Sequence, residues 1–438
     1  MKLLRVISLL GILFNSTISI FAEVLTLEEA LQRGQVANFD ILIANESISI
    51  QDEALTASRS DLYPNLTLGA SQSRSMTPNV GSITDNIAGI PQRSFINRFD
   101  AVIRARMALL DFGVIDASRS QRKNYEATLF EVDHTIQLIL EEIANSYLTH
   151  WRNLKRVELI QATIERSQTL LDIAKTRQEA GVSTPLDVTR AEVDLLENEL
   201  SLLQQESLAL ESQMRLKRIL AMPLGESLEL ESVNLNPLGF KEFSSSLAET
   251  ALANRPDYQA SLKSLEQAEL NVSASKRQRL PAITLQGQWG YAAQTVEDEA
   301  QEQWRIGLGV EMPIFEGFRL RSEKRQAISR LRQQEAEVDA LRDTIEAQLR
   351  VTVNDLESRR REVEVSERTV DLNEQEFKLA KLRFEEGVAD NSDVVDAQVG
   401  LASAEDSAIE SHYRYLLTRI RWARLNGNIW NTFSGDSQ

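Results

Sequence analysis

Asp393 and Asp396 are the side chains of this 438-residue sequence whose type and spacing best suit a chemical task. On a helix, residues three apart share a face, so the two carboxylates can hold a cation, meet a guanidinium or line a narrow aqueous passage. Nothing beside them suggests catalysis, because no nucleophile and base constellation can be named. There is no cysteine, which removes thiolate chemistry and disulfides. The three histidines, His134, His150 and His412, are scattered, so neither a metal nor a cofactor is expected. No nucleotide-binding fingerprint occurs, and a net charge of −17 opposes nucleic-acid binding. The chain is therefore not expected to be an enzyme.

Both aspartates lie in a stretch that the chain contains twice. Ala174, Lys175, Arg177, Glu179, Gly181, Val182, Asp187, Val188, Ala191, Val193 and Leu195 recur as Ala380, Lys381, Arg383, Glu385, Gly387, Val388, Asp393, Val394, Ala397, Val399 and Leu401. About half of roughly 22 compared positions are identical, the mark of an internal repeat. Each copy reads as a helix stopped by a glycine, a short turn, and a second helix. Gly181 and Gly387 suit a left-handed C′ position, Thr184 can cap the next helix with Pro185 at N1, and Asp187 stands at N3. Asp393 takes that N3 place in the second copy. Capping is a sufficient reason for an aspartate at N3, but Asp396 lies one turn further in, and its counterpart in the first copy is Arg190.

The elements that position these bends can be read from the hydrophobic period. Residues 1–22, with Lys2 and Arg5 before an apolar run, read as a secretory signal peptide. The first repeat, 23–221, reads as a helix from Leu27 to Leu62, a β-hairpin over 65–108, a long helix to Glu179, the bend at 180–186 and a helix to about Ala221. A segment rich in proline and glycine, 222–246, links the halves. The second repeat, 247–428, runs in the same order, with a hairpin over 282–314 and its bend at 386–392; residues 429–438 are a tail. Each long helix has roughly 66 to 69 residues, about 100 Å, and is matched by two short helices placed end to end.

The four strands alternate strictly. Leu66, Leu68, Phe99, Ile103, Leu285, Trp289, Trp304, Ile306 and Leu308 share one side; Arg98, Arg104, Gln286, Gln288 and Arg305 share the other. Strands of about ten residues can cross a bilayer, and lipid-exposed sheets must close because hydrocarbon cannot satisfy free edges. Four strands cannot close alone, so chains would have to share a barrel. An ordinary half-buried sheet packed on a soluble helical domain gives the same alternation, whereas a soluble periplasmic coiled-coil adaptor would share the long hairpins and the export signal but lack four lipid-length strands.

With these residues in place, the chain resembles the TolC-like outer membrane efflux protein family, the outer membrane factors. The likeness spans about residues 23–428 and is most specific at the bends, Arg177–Ala191 and Arg383–Ala397. It implies a mainly α fold with a small β part: long coiled-coil hairpins and four transmembrane strands per chain, assembled as a homotrimeric α-barrel and β-barrel tunnel. It further implies an outer-membrane exit duct in contact with outer membrane lipid. Its partners would be a periplasmic adaptor protein and an inner-membrane pump of RND or ABC type. The resemblance makes Asp393 and Asp396 the constricting aspartates of a gate and Asp187 part of its tip network, with adaptor docking at the tip residues Gly181, Val182, Gly387 and Val388. From the difference between the copies, Arg190 is expected to pair with Asp393 or Asp396 of a neighbouring hairpin when the gate is closed, and from strand alternation Arg98, Arg104, Gln286, Gln288 and Arg305 are expected to face the barrel lumen. The tyrosine and arginine that tie the closed tip in some members are replaced by Phe384 and Ala389, so those ties cannot be copied.

Overall fold

A computed structural model describes residues 24–78, 93–231, 244–386, 388, 391–427 and 429. The expected signal peptide, Gly387 and Ala389 lie outside these residues, as do most of the segment joining the halves and most of the tail. The architecture is set by two unbroken helices, α3 (Phe112–Glu179) and α7 (Arg319–Glu385), of 68 and 67 residues. α3 is flanked by α2 (Phe39–Ser60) toward one end and α4 (Pro185–Ile219) toward the other; α7 is flanked by α6 (Pro256–Arg277) and α8 (Asn391–Leu425). α3 also packs on α6 and α8, which binds the halves into one body. The seam read from the sequence is the buried one, with Val338, Ile345, Leu349 and Leu356 closed off along α7.

Sequence period treats residues 27–62 as one helix, but the structure breaks it into α1 (Leu27–Ala37) and α2. Asn38 makes the break with extended backbone, φ −65° and ψ 129°. Its side-chain oxygen accepts from the N–H groups of Asp40 and Ile41, and its Nδ2 donates to the Ile219 carbonyl at 2.7 Å, tying the break to the end of α4. The second half breaks at the matching place, Arg255, between α5 (Ser245–Asn254) and α6. There Pro256 drives the preceding residue out of the helical region.

The breaks sit at the level of the main core, where Leu31, Ile143, Leu148, Leu216 and Ile420 pack together. A short parallel pair, β1 (Val24–Leu25) and β4 (Glu229–Leu230), lies over this core. The hydroxyl of buried Tyr147 stands 2.9 Å from the Leu25 carbonyl and 3.2 Å from that of Glu231. Ile429, read as the start of a tail, is instead fully buried in this core, and its N–H donates to Gln137 at 3.2 Å.

The remaining strands, β2 (Asn65–Pro78), β3 (Arg93–Leu110), β5 (Ala282–Ala293) and β6 (Gln301–Glu311), form one antiparallel sheet in the order β2-β3-β5-β6. The central pairing joins the two repeats, so the free edges are β2 and β6.

His150 supplies a pH-dependent term at the core's edge. It is buried, with Nδ1 3.1 Å from Ser212 Oγ. Burial, reinforced by nearby Lys217, pushes its pKa down to about 4. An unfolded histidine titrates near 6.5, so its contribution to stability is complete above that pH and declines as pH falls toward about 4. His150→Gln should flatten the fall in melting temperature between pH 6.5 and about 4; parallel profiles for variant and parent would show that another group titrates.

Candidate functional site

The tip is built from two hairpin bends held together by contacts that cross between them. Gly181 has φ +76°, and the N–H of Val182 reaches back to the Arg177 carbonyl at 2.9 Å, closing α3. Thr184 and Asp187 form the expected capping box for α4. The Asp187 carboxylate accepts from Thr184 N (2.8 Å), Thr184 Oγ1 (2.7 Å) and Ser183 Oγ (2.8 Å). The Thr184 backbone and hydroxyl, then Ser183 and the nearby Arg190 charge, hold this carboxyl below its usual range. Its charge serves the start of α4, and its backbone carbonyl accepts from Asn391 Nδ2 at 3.1 Å on the other hairpin.

Arg177 and Phe384, the latter expected only to stand in place of a lost family tie, do tie the two hairpins. Phe384 is buried against Leu170 and Val394. The Arg177 guanidinium stacks 4.7 Å from the centre of the Phe384 ring and donates to the Phe384 carbonyl. An aromatic ring and a main-chain oxygen thus receive an arginine from the other copy of the repeat. Arg177 is legible as half of the Arg177/Arg383 match, but its partner is not, because the contact spans 207 residues.

Asp393 and Asp396 are exposed on the side of α8 opposite buried Val394, Ala397 and Gln398. They border an open groove between α7 and α8 together with Arg383 and Glu376. Arg190 is exposed on the other hairpin, beside Asp187. Among the described residues, no ion pair within the chain joins it to either aspartate. Val182 and Val388 are exposed at the extremity of the bends.

Further from the bends, polar contacts fasten α3 to α8. Gln398 donates to Ser167 Oγ at 2.6 Å and to Asp194 at 3.1 Å. Arg166 grips Glu405 with two bonds of 2.8 and 2.9 Å, and Arg156 does the same to Asp406 at 2.6 and 3.1 Å. Bidentate pairs of this kind fix orientation as well as proximity.

The flanks are less saturated. Along α4, Leu186, Val193 and Leu200 recur every seven residues, as do Leu196, Leu203 and Leu210, and all are exposed. Along α7, Val351, Val365, Leu372 and Leu379 are exposed at multiples of seven. These are heptad seams without a partner in the chain.

In the sheet, Arg104, Gln288 and Arg305 stand in register across β3, β5 and β6, with Arg106 beside Gln286 in the adjacent row. Arg98 lies on the same side and pairs with Asp100 at 2.6 Å. The opposite side is apolar and bare: Leu66, Leu68, Trp304, Ile306, Leu308 and Val310 are 69% to 80% exposed.

Comparison with known proteins agrees with this geometry. The sequence profile described as outer membrane efflux protein matches residues 27–222 and 247–428. The pyoverdine export outer membrane protein OpmQ of Pseudomonas aeruginosa is 22% identical over 415 residues, 93% of this chain and 86% of that protein. The toluene efflux pump outer membrane protein TtgF of Pseudomonas putida is 25% identical over 388 residues, 86% of this chain and 78% of that protein. Among solved structures, the transmembrane channel protein CusC superposes with a TM-score of 0.79 at 17% identity, covering 92% of each chain.

The tip contacts make a local prediction. Arg177→Ala should speed hydrogen exchange of the amides in the last turn of α7 by about tenfold, the equivalent of about 1.4 kcal/mol. Unchanged protection there would mean that the arginine does not hold the hairpins together.

Proposed function

This chain belongs to the outer membrane efflux protein family, and we propose that it is the exit duct of a tripartite efflux or type I secretion system. Its place is the outer membrane, with a large periplasmic part. The observation that carries the proposal is the bare apolar side of a four-stranded sheet with two unpaired edges. In water such a surface aggregates. In lipid it is the outer wall of a barrel once the edges pair with those of neighbouring chains. A soluble adaptor has no use for it.

The flanks support the same assembly. β2, α2 and α4 lie on one side of the chain, and β6 and α7 on the other. A heterologous contact between these sides repeats around a ring and closes it. Three chains would give twelve strands around one barrel, continued by a helical tunnel. α4 and α7 run in opposite directions from the tip, so Val193 falls level with Leu379 and Leu200 with Leu372 across that contact.

Energy comes from elsewhere: an inner-membrane pump of RND or ABC type loads the cargo, and a periplasmic adaptor docks at the tip around Val182 and Val388. Asp393 and Asp396, two per chain and six per trimer, form the constriction, where clustered carboxylates favour cations. Arg190 of an adjacent hairpin neutralises part of this ring in the closed tip. Asp187 frames the bend through its cap.

Cysteines at Val193 and Leu379 should cross-link chains under mild oxidation into a ladder ending at trimer, whereas monomers alone would contradict the ring. In reconstituted channels, Asp393→Asn with Asp396→Asn should weaken divalent-cation block at least ~10-fold; block of parental strength would remove the ring as the binding site. Arg190→Ala should raise conductance, and an unaltered value would show that this arginine does not help close the tip.

A further inference from the structure

The polar side of the sheet carries more positive charge than a water-filled wall requires. One row holds Thr67, Arg104, Gln288 and Arg305; the next row toward the helices holds Asn65, Arg106, Gln286 and Gly307. These eight positions contain three arginines and no acid. The nearer acids on that side are spoken for or remote. Asp100 is gripped by Arg98 through bonds of 2.6 and 3.0 Å, accepts from Gln303 at 3.1 Å and attracts Arg104 only from beyond ion-pair distance. Glu311, opposite Ala282, is two rows from Arg106, about 14 Å at 3.4 Å per residue, beyond the Debye length of about 8 Å at physiological salt.

The three arginines border a common space. Arg104, Arg106, Arg305, Gln286 and Gln288 line one cavity of about 270 Å³ open to the polar side. Gly69 leaves room for the Arg104 guanidinium over β2: an added Cβ there would stand 3.2 Å from Arg104 Nη1. Among the described residues, none of the three arginines makes an ion pair. Three like charges on one wall repel each other, and a weakly hydrated guanidinium gains more than an ammonium from a planar oxyanion. The flanking glutamine amides add neutral donors.

We propose that Arg104, Arg106 and Arg305 form an anion-attracting collar at the helix end of the barrel, which draws cargo bearing two or more carboxylate, sulfate or phosphate groups from the tunnel into the exit. The inference rests on the barrel reading above and deepens it by naming a cargo class. In a trimer the collar presents nine guanidiniums, three from each chain, in a low-dielectric wall that focuses their field. It stands opposite in sign to the aspartates at the far end of the tunnel. Cargo meets a cation-favouring entrance and an anion-favouring exit, so an anionic solute that has passed the tip gains by moving outward.

The full-length protein in proteoliposomes tests this. Gln288→Cys supplies a thiol inside the collar, and its modification rates are compared for neutral, anionic sulfonatoethyl and cationic trimethylammonioethyl thiosulfonates applied from the extracellular side. The collar requires the anionic reagent to outpace the cationic one by at least ~10-fold. That ratio should collapse toward the parent compounds' intrinsic ratio in Arg104→Gln, Arg106→Gln, Arg305→Gln and return in the matching triple Lys variant. A ratio equal to the reagents' intrinsic ratio with a free thiol, with ready labelling by the neutral reagent, would overturn the collar and leave the duct intact. Labelling by a lipid-confined maleimide alone would overturn the barrel reading and the collar with it.

Discussion

A backbone N–H or C=O facing hydrocarbon has no water to bind, and that requirement governs the whole molecule. β2 and β6 each present a row of such groups, and among the described residues no other strand is paired with them. The cost of an unmet group in lipid, several kcal/mol, applies at every second residue along both edges. Closure by neighbouring copies removes it. The proposed ring would close strands and helices around one axis: β2 follows α2 and β6 leads into α7, on opposite sides of the chain, and exposed heptad seams run along α4 and α7.

The long helices transmit that arrangement across about 100 Å. They do so because α3 and α7 are continuous while their companions are interrupted. Asn38 and Arg255 let the shorter helices restart where the core is thickest, and the Asn38 amide is anchored on Ile219. Toward the tip, polar contacts of Gln398, Asp194 and the arginines of α3 run beside smaller apolar clusters, Leu171 with Ala191 and Leu195, and Leu170 with Phe384 and Val394. The directional bonds specify register between α3 and α8 toward the tip. There the two bends of one chain are locked by Arg177 on Phe384 and by Asn391 on the Asp187 carbonyl, so a bend can move with its partner more readily than against it.

Much of this was legible in the sequence because it depends on local period and on repetition. The 3.6-residue seams gave both long helices, strict alternation gave the four strands, and Gly181, Thr184, Pro185 and Asp187 gave the first bend with its capping box. The helix breaks do not show in the period, because the apolar spacing runs through them; the local signals are Asn38 and Pro256. The Arg177 contact and the burial of Ile429 could not be read at all, since each depends on a partner more than 200 residues away. The polarity of the strands was legible, but not the fact that three arginines share one cavity, which is a matter of register between repeats.

The central claim is that three copies of this chain share one closed barrel. The mass of the intact particle, measured by native mass spectrometry after extraction from the outer membrane in a mild detergent, addresses it most directly. The account predicts a single species of three chains that persists on dilution. A stable, properly folded species of one chain, with its sheet edges unpaired, would contradict it.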